Sequence, residues 1–194
     1  MTAGWTDVVL ALALGIGLAA CAGLRAWLPL LMAGGAARIG WLELGDSFAF
    51  LGSNRALILF GVASVIEIVA DKVPALDHVL DALSTVVRPA AGALLAASVM
   101  WPVSDPLTAL ALGVAVGAPV ALVPHAAKSM FRVASSSVTA GLANPLVSLA
   151  EDGLVVFLFV VTVVVPVLMV TLVVGSVVLF LMRRRRRSAA VAAS

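Results

Sequence analysis

The sequence predicts an all-α, polytopic integral membrane helical bundle of about five transmembrane spans, within a range of four to six. Three observations carry that prediction. Of 194 residues, 63% are hydrophobic and only 11% are charged, with a mean hydropathy of +1.19, whereas a soluble domain needs about a quarter of its residues charged to cover its surface. The apolar residues also form runs long enough to cross about 30 Å of hydrocarbon as helix. The charges gather between those runs instead of alternating along them. The length suits one domain, drawn as residues 1–182 in the membrane and residues 183–194 as a basic tail.

The first span is expected over residues 8–37, where Arg25 is the single charge. Leu18-Ala19-Ala20-Cys21 looks like a lipoprotein cleavage box, but residues 1–7 hold no Lys or Arg and carry Asp7. A secretory signal wants a positive start, so an uncleaved span is expected. Residues 56–70 give a second span, apolar except for Glu67. Residues 89–101 give a third that is short or broken, residues 107–124 an uncharged fourth, and residues 153–182 a long uncharged fifth. Between the second and third, Asp77, Asp81, Ser84 and Arg88 recur at helical spacing behind Pro74, an amphipathic helix near residues 74–88 lying at the interface or over a cavity mouth. His78 lies off that acidic stripe, and no metal or other cofactor is expected.

Arg183 to Arg187 directly follow the last apolar run, and short basic flanks stay cytoplasmic. Five crossings then put the N-terminus outside, residues 38–55 inside, and residues 71–88 and 125–152 outside. Lys72, Arg88, Lys128 and Arg132 would all lie on the outer side. Either the third span is re-entrant, or these cations sit in protein clefts beside the carboxylates that each outer segment carries; the second is preferred.

Two ionisable residues interrupt apolar spans. At about 1.5 Å per residue, Arg25 and Glu67 both fall roughly 14–18 Å from the cytoplasmic ends, which predicts an Arg25–Glu67 pair. It is either a proton or cation site gated by Arg25 or an ion pair that fixes helix register. Asp71 shares a helix face with Glu67, with Lys72 beside it. His125, Lys128 and Arg132 share another face, followed by Ser135, Ser136, Ser137 and Thr139, then Asn144-Pro145 and Glu151-Asp152. A basic face with a hydroxyl-rich loop suits a phosphate or carboxylate; the alternative is a charged edge paired with Asp77, Asp81, Glu151 and Asp152.

Ala11 to Gly15 recur identically as Ala109 to Gly113, an offset of 98. In a five-span topology the two copies run in opposite directions, as in inverted-repeat transporters. Other classes receive no support. The arginine run is a tail, unlike the spread basic face of a nucleic-acid binder, so no nucleic-acid partner is expected. The single Cys21 excludes an internal disulfide. No nucleophile–base–acid arrangement and no glycine-rich phosphate loop is present, so an enzyme is not the favoured class.

Gly23-Leu24-Arg25 with Pro29, Glu67 through Asp71-Lys72-x-Pro74-x-x-Asp77, Arg88-Pro89-x-x-Gly92-Ala93, Lys128 with Arg132, and Asn144-Pro145-x-x-Ser148-x-x-Glu151-Asp152 form one string. In it the chain resembles the small bacterial membrane proteins grouped as domain of unknown function 4126, over roughly residues 8 to 170 and short of the arginine tail. The resemblance implies a bacterial inner-membrane architecture and candidate positions, but no reaction. The expected function is a small transporter or lipid translocator, with homo-oligomers favoured because five helices make a thin wall. Its substrate would be anionic or zwitterionic, held in a cleft of Arg25, Glu67, Asp71, Lys72, Arg88, His125, Lys128, Arg132, Asn144, Glu151 and Asp152. The alternatives are a scaffold or assembly factor whose charges are structural pairs, and an enzyme acting on lipid headgroups through an acid such as Asp71.

Overall fold

The structure, a computed structural model, describes residues 4–71, 74–103, 105–139 and 146–166, with residues 74–82, 136 and 138 described in backbone only. Among the described residues every regular element is helical. Helix α1 (Trp5–Leu24) stops at Arg25, which is extended at φ −139°, ψ 128°. Pro29 supplies the reason. It has no N–H for the Arg25 carbonyl, so the α1 ladder cannot run through it, yet it is tolerated in the first turn of a new helix. That helix, α2 (Trp27–Arg38), ends in a Schellman motif: Gly40 takes φ 77°, its N–H donates to Ala37 O at 3.1 Å, and the Trp41 N–H donates to Ala36 O at 2.8 Å.

A 3-10 segment (Asp46–Gly52) leads through a 58° bend into α3 (Asn54–Ala70). Ser53 Oγ accepts from Ala56 N at 3.2 Å and caps it. Helix α4 (Pro74–Ser98) runs unbroken through Pro89. Helix α5 (Pro106–Leu112) starts behind Asp105, whose carboxylate accepts from the Thr108 hydroxyl and backbone N–H. Those bonds hold the Asp105 carboxyl below the usual carboxylate range. A π segment (Gly113–Gly117) joins α5 to α6 (Ala118–Thr139), and α7 (Leu146–Pro166) is the last described helix.

The helices alternate in direction. Gly34 of α2 packs against Leu51 and Leu57, while Trp27 stacks on Phe60 with ring centroids 6.3 Å apart, so α2 and α3 are antiparallel. Along α4, Arg88 lies at Gly23 and His125, whereas Ala96 lies at Gly15 and Ala97 at Gly113. Helices α1 and α5–α6 therefore both run against α4 and parallel to each other. Helix α7 runs back beside α1, with Thr162 at Gly17. One small cavity has Leu10, Leu14, Trp41, Trp101 and Pro166 in its wall, which puts the start of α1, the end of α2 and the end of α7 at one end of the bundle.

Glycine sets how closely these helices approach. A Cβ on Gly23 would sit 2.2 Å from Ala121 O, one on Gly113 2.3 Å from Ala93 O, and one on Gly117 2.3 Å from Gly92 O. Gly113 and Gly117, four residues apart, give the small-xxx-small face that lets membrane helices touch backbone to backbone. Away from this core, α3 exposes Ile58, Leu59, Val62, Val65, Ile66 and Val69, each more than half. An outward face of that kind needs lipid as its solvent.

The protein is a multi-pass membrane protein. Helices Trp5–Leu24, Pro106–Ser135 and Leu146–Pro166 are each long and apolar enough to cross, the bent pair Asp46–Gly52 and Asn54–Ala70 makes a fourth, and Leu83–Ser98 is a shorter apolar helix. Four expectations are corrected. Residues 8–37 are not one span, because the chain turns back at Arg25. The amphipathic segment and the short third span are one helix, α4. Helix α6 continues past Pro124 through the hydroxyl-rich stretch to Thr139; Pro89 and Pro124 both lie inside membrane helices, where proline is tolerated. The two Ala-Leu-Ala-Leu-Gly copies run in parallel, not inverted, since the unforeseen reversal at Arg25 adds one pass between them. The last part of the fifth apolar run and the arginine tail lie outside the described residues.

Candidate functional site

The site grows from helical stripes that continue an apolar inner face into a polar one. On α3 the stripe is Phe60, Ser64, Glu67 and Asp71; on α6 it is Ala121, His125, Lys128 and Arg132; on α7 it is Ser148, Glu151 and Val155. All are buried. Alternation of direction brings the polar end of each stripe to the same end of the bundle, where α4 adds Arg88 and the α1–α2 break adds Arg25. Arg25 is 0% exposed and Arg88 1%.

Glu67 works at the break. Its Oε1 accepts from Ala26 N at 3.1 Å and its Oε2 from Trp27 N at 3.2 Å. The carboxylate thus caps α2 from a neighbouring helix, at the end where free N–H groups and the helix dipole favour negative charge. Arg88 Nη2 lies 3.7 Å from the same Oε1. Arg88 Nη1 donates to His125 Nδ1 at 2.9 Å and to Gly23 O at 3.5 Å. An arginine only donates, so Nδ1 accepts and the neutral ring carries its proton on Nε2, 3.4 Å from Thr85 Oγ1.

Asp71 is the hub. Its Oδ2 receives Arg25 Nη1 in a short ion pair, Lys128 Nζ at 3.0 Å and Arg132 Nη2 at 3.1 Å. Arg25 turns its other nitrogen to Asp152 Oδ1 at 2.7 Å and to Ser148 Oγ at 2.8 Å. Glu151 Oε2 lies 2.8 Å from Lys128 Nζ and 3.6 Å from Arg132 Nη2. Among the described residues four cations (Arg25, Arg88, Lys128, Arg132) thus face four carboxylates (Glu67, Asp71, Glu151, Asp152), an even set with His125 neutral. The family described as Domain of unknown function (DUF4126) matches residues 12–186. The chain belongs to that family. No curated protein and no solved structure matches it. The matched stretch reaches into the arginine run, beyond the limit expected from the sequence.

In this DUF4126 protein the structure gathers Arg25, Glu67, Asp71, Arg88, His125, Lys128, Arg132, Glu151 and Asp152, while Lys72 and Asn144 lie outside the described residues, as do the side chains of Asp77, His78 and Asp81. The expected Arg25–Glu67 ion pair does not form. Arg25 reaches past Glu67, touching only its backbone oxygen at 3.5 Å, because α2's N–H groups already hold the Glu67 carboxylate. In the hydroxyl-rich stretch, Ser137 Oγ donates to Ala134 O and Thr139 Oγ1 to Ser135 O, both at 2.8 Å, so these two hydroxyls bond their own helix. Ser148, fully buried on Arg25, was not among the expected site residues. Its signal was its place three residues before Glu151 on one helix face. Among the described residues no three His, Cys, Asp or Glu side chains are grouped to hold a metal ion.

Proposed function

We propose that this protein is a small membrane transporter or lipid translocator whose substrate carries an anionic or zwitterionic group, and that the charge network is where that group binds. The carrying observation is the convergence of Arg25, Lys128 and Arg132 on one buried oxygen of Asp71. Burying a charge costs several kcal/mol even when paired, and well-packed apolar residues often serve stability as well or better. A network of this size drawn from five helices therefore fits a role in handling charge, as intramembrane ionisable residues generally do. Arg38 and Arg55 at the opposite end support placing that end in the cytoplasm, with the network towards the outer side of a bacterial inner membrane.

A second reading rests on the even balance of four cations and four carboxylates among the described residues and on Glu67 capping α2. In it the network holds the bundle together and the protein is a scaffold or assembly factor. Proteoliposomes separate the two. The expected result is flux of phosphate, glutamate or a fluorescent phosphatidylethanolamine above the protein-free rate, lost in folded Lys128→Ala. Rates equal to protein-free liposomes across that panel, with a partner purifying at fixed stoichiometry, would establish the scaffold instead.

A further inference from the structure

We propose that the Asp71 carboxylate occupies, as an internal stand-in, a binding place for a singly charged phosphate group, which arrives by displacing it from Arg25, Lys128 and Arg132. This rests on the transport reading and names its substrate class. The phosphate belongs either to a phospholipid headgroup or to free phosphate; the chemistry at the cations is the same.

Three features point there. The first is crowding: two guanidinium groups and one ammonium, from the α1–α2 break and from α6, share the single oxygen Oδ2. A phosphodiester offers two charged oxygens and free phosphate more, so the three cations need no longer share one, and arginine forks match that geometry. The second is a spare donor, since Arg25 Nε–H is buried with no acceptor among the described residues, a costly state that an added oxyanion would relieve. The third is charge. With Asp71 withdrawn, Arg25, Lys128 and Arg132 face Glu151 and Asp152 among the described residues, leaving one positive charge in that set. A monoanion restores the balance, whereas a dianion overshoots it. Asp71 also stands at the C-cap of α3, so its withdrawal moves a helix end and spares the packed helix interior.

The test is phosphorus NMR titration of the full chain in detergent with dimethyl phosphate, a permanent monoanion. Inorganic phosphate and short-chain phosphatidylglycerol are run beside it. Asp71→Asn removes the competing charge at nearly constant shape, so it is expected to bind dimethyl phosphate at least tenfold more tightly than the wild type. Adding Lys128→Gln should abolish the gain. Equal affinity in wild type and Asp71→Asn, or a gain that survives Lys128→Gln, overturns the proposal. Should Asp71→Asn fail to fold, Arg132→Gln and Lys128→Gln are compared singly with the wild type, and unchanged affinity in both overturns it. Preference for phosphatidylglycerol over inorganic phosphate assigns the lipid source, and the reverse the free ion. Glutamate flux by a wild type that binds none of the phosphate probes would sink this proposal and leave the transport reading standing.

Discussion

Glu67 and Arg25 show how one side chain can carry several structural demands. Glu67 terminates two α2 N–H groups and lies beside Arg88. Glu67→Ala leaves both N–H groups without their acceptor, at about 1–3 kcal/mol each. Glu67→Gln keeps one acceptor oxygen and should lose roughly half as much. Thermal unfolding of the two variants in one detergent checks the order, and equal losses would mean the cap contributes nothing. Arg25 spans Asp71 on one side and Asp152 with Ser148 on the other. Lysine carries the same charge without the planar fork. Arg25→Lys should therefore lose about 1.5–3 kcal/mol for the charged hydrogen bonds it cannot remake, seen as a lower unfolding midpoint with the fold retained.

Among the elements, the contact of α4 with the π segment is set by glycine. Gly117→Ala puts a Cβ 2.3 Å from Gly92 O, a backbone atom that yields only if the helices part. The expected cost is about 1–3 kcal/mol, the range for overpacking. Gly35→Ala, with nothing within 4 Å of its added Cβ, is the matched control and should be neutral or better. The start of α5 depends on pH. Asp105 has a lowered folded pKa, so its capping contribution is present above the unfolded value and is lost as pH falls through the folded one. The protection factor of the Thr108 amide, the intrinsic exchange rate over the observed one at the same pH, should fall over that acid range in the wild type, and be low and independent of pH in Asp105→Ala.

For the whole molecule, the reversal at Arg25 puts the start of α1 and the end of α2 on the same side. In a Cys21→Ala background, Thr6→Cys and Trp41→Cys should react with an impermeant thiol reagent from one face, and Ser137→Cys from the other. Thr6→Cys and Trp41→Cys reacting from opposite faces would restore the single span over residues 8–37. Cys21 itself is buried, so its removal should leave the labelling pattern unchanged.

Composition and helical spacing alone dictate the solvent and the polar inventory. A charge content of 11% cannot cover a soluble surface, and ionisable residues at helical spacing of three and four must share a face whatever the packing. That is why His125, Lys128 and Arg132, and likewise Glu67 with Asp71, were legible as stripes. Helix packing then sets where each stripe points and which charge meets which. Pro29, like Pro74 and Pro106, lies in the first turn of a helix, while Pro89 and Pro124 are carried inside continuous ones. Which of the two a proline does depends on the tertiary surroundings, which no local pattern encodes. That single turn sets the direction of every later helix, makes the repeated segments parallel, and carries Arg25 past Glu67 to Asp71. Pairing followed from direction and depth together, because a buried charge takes the nearest partner that the packing leaves unclaimed.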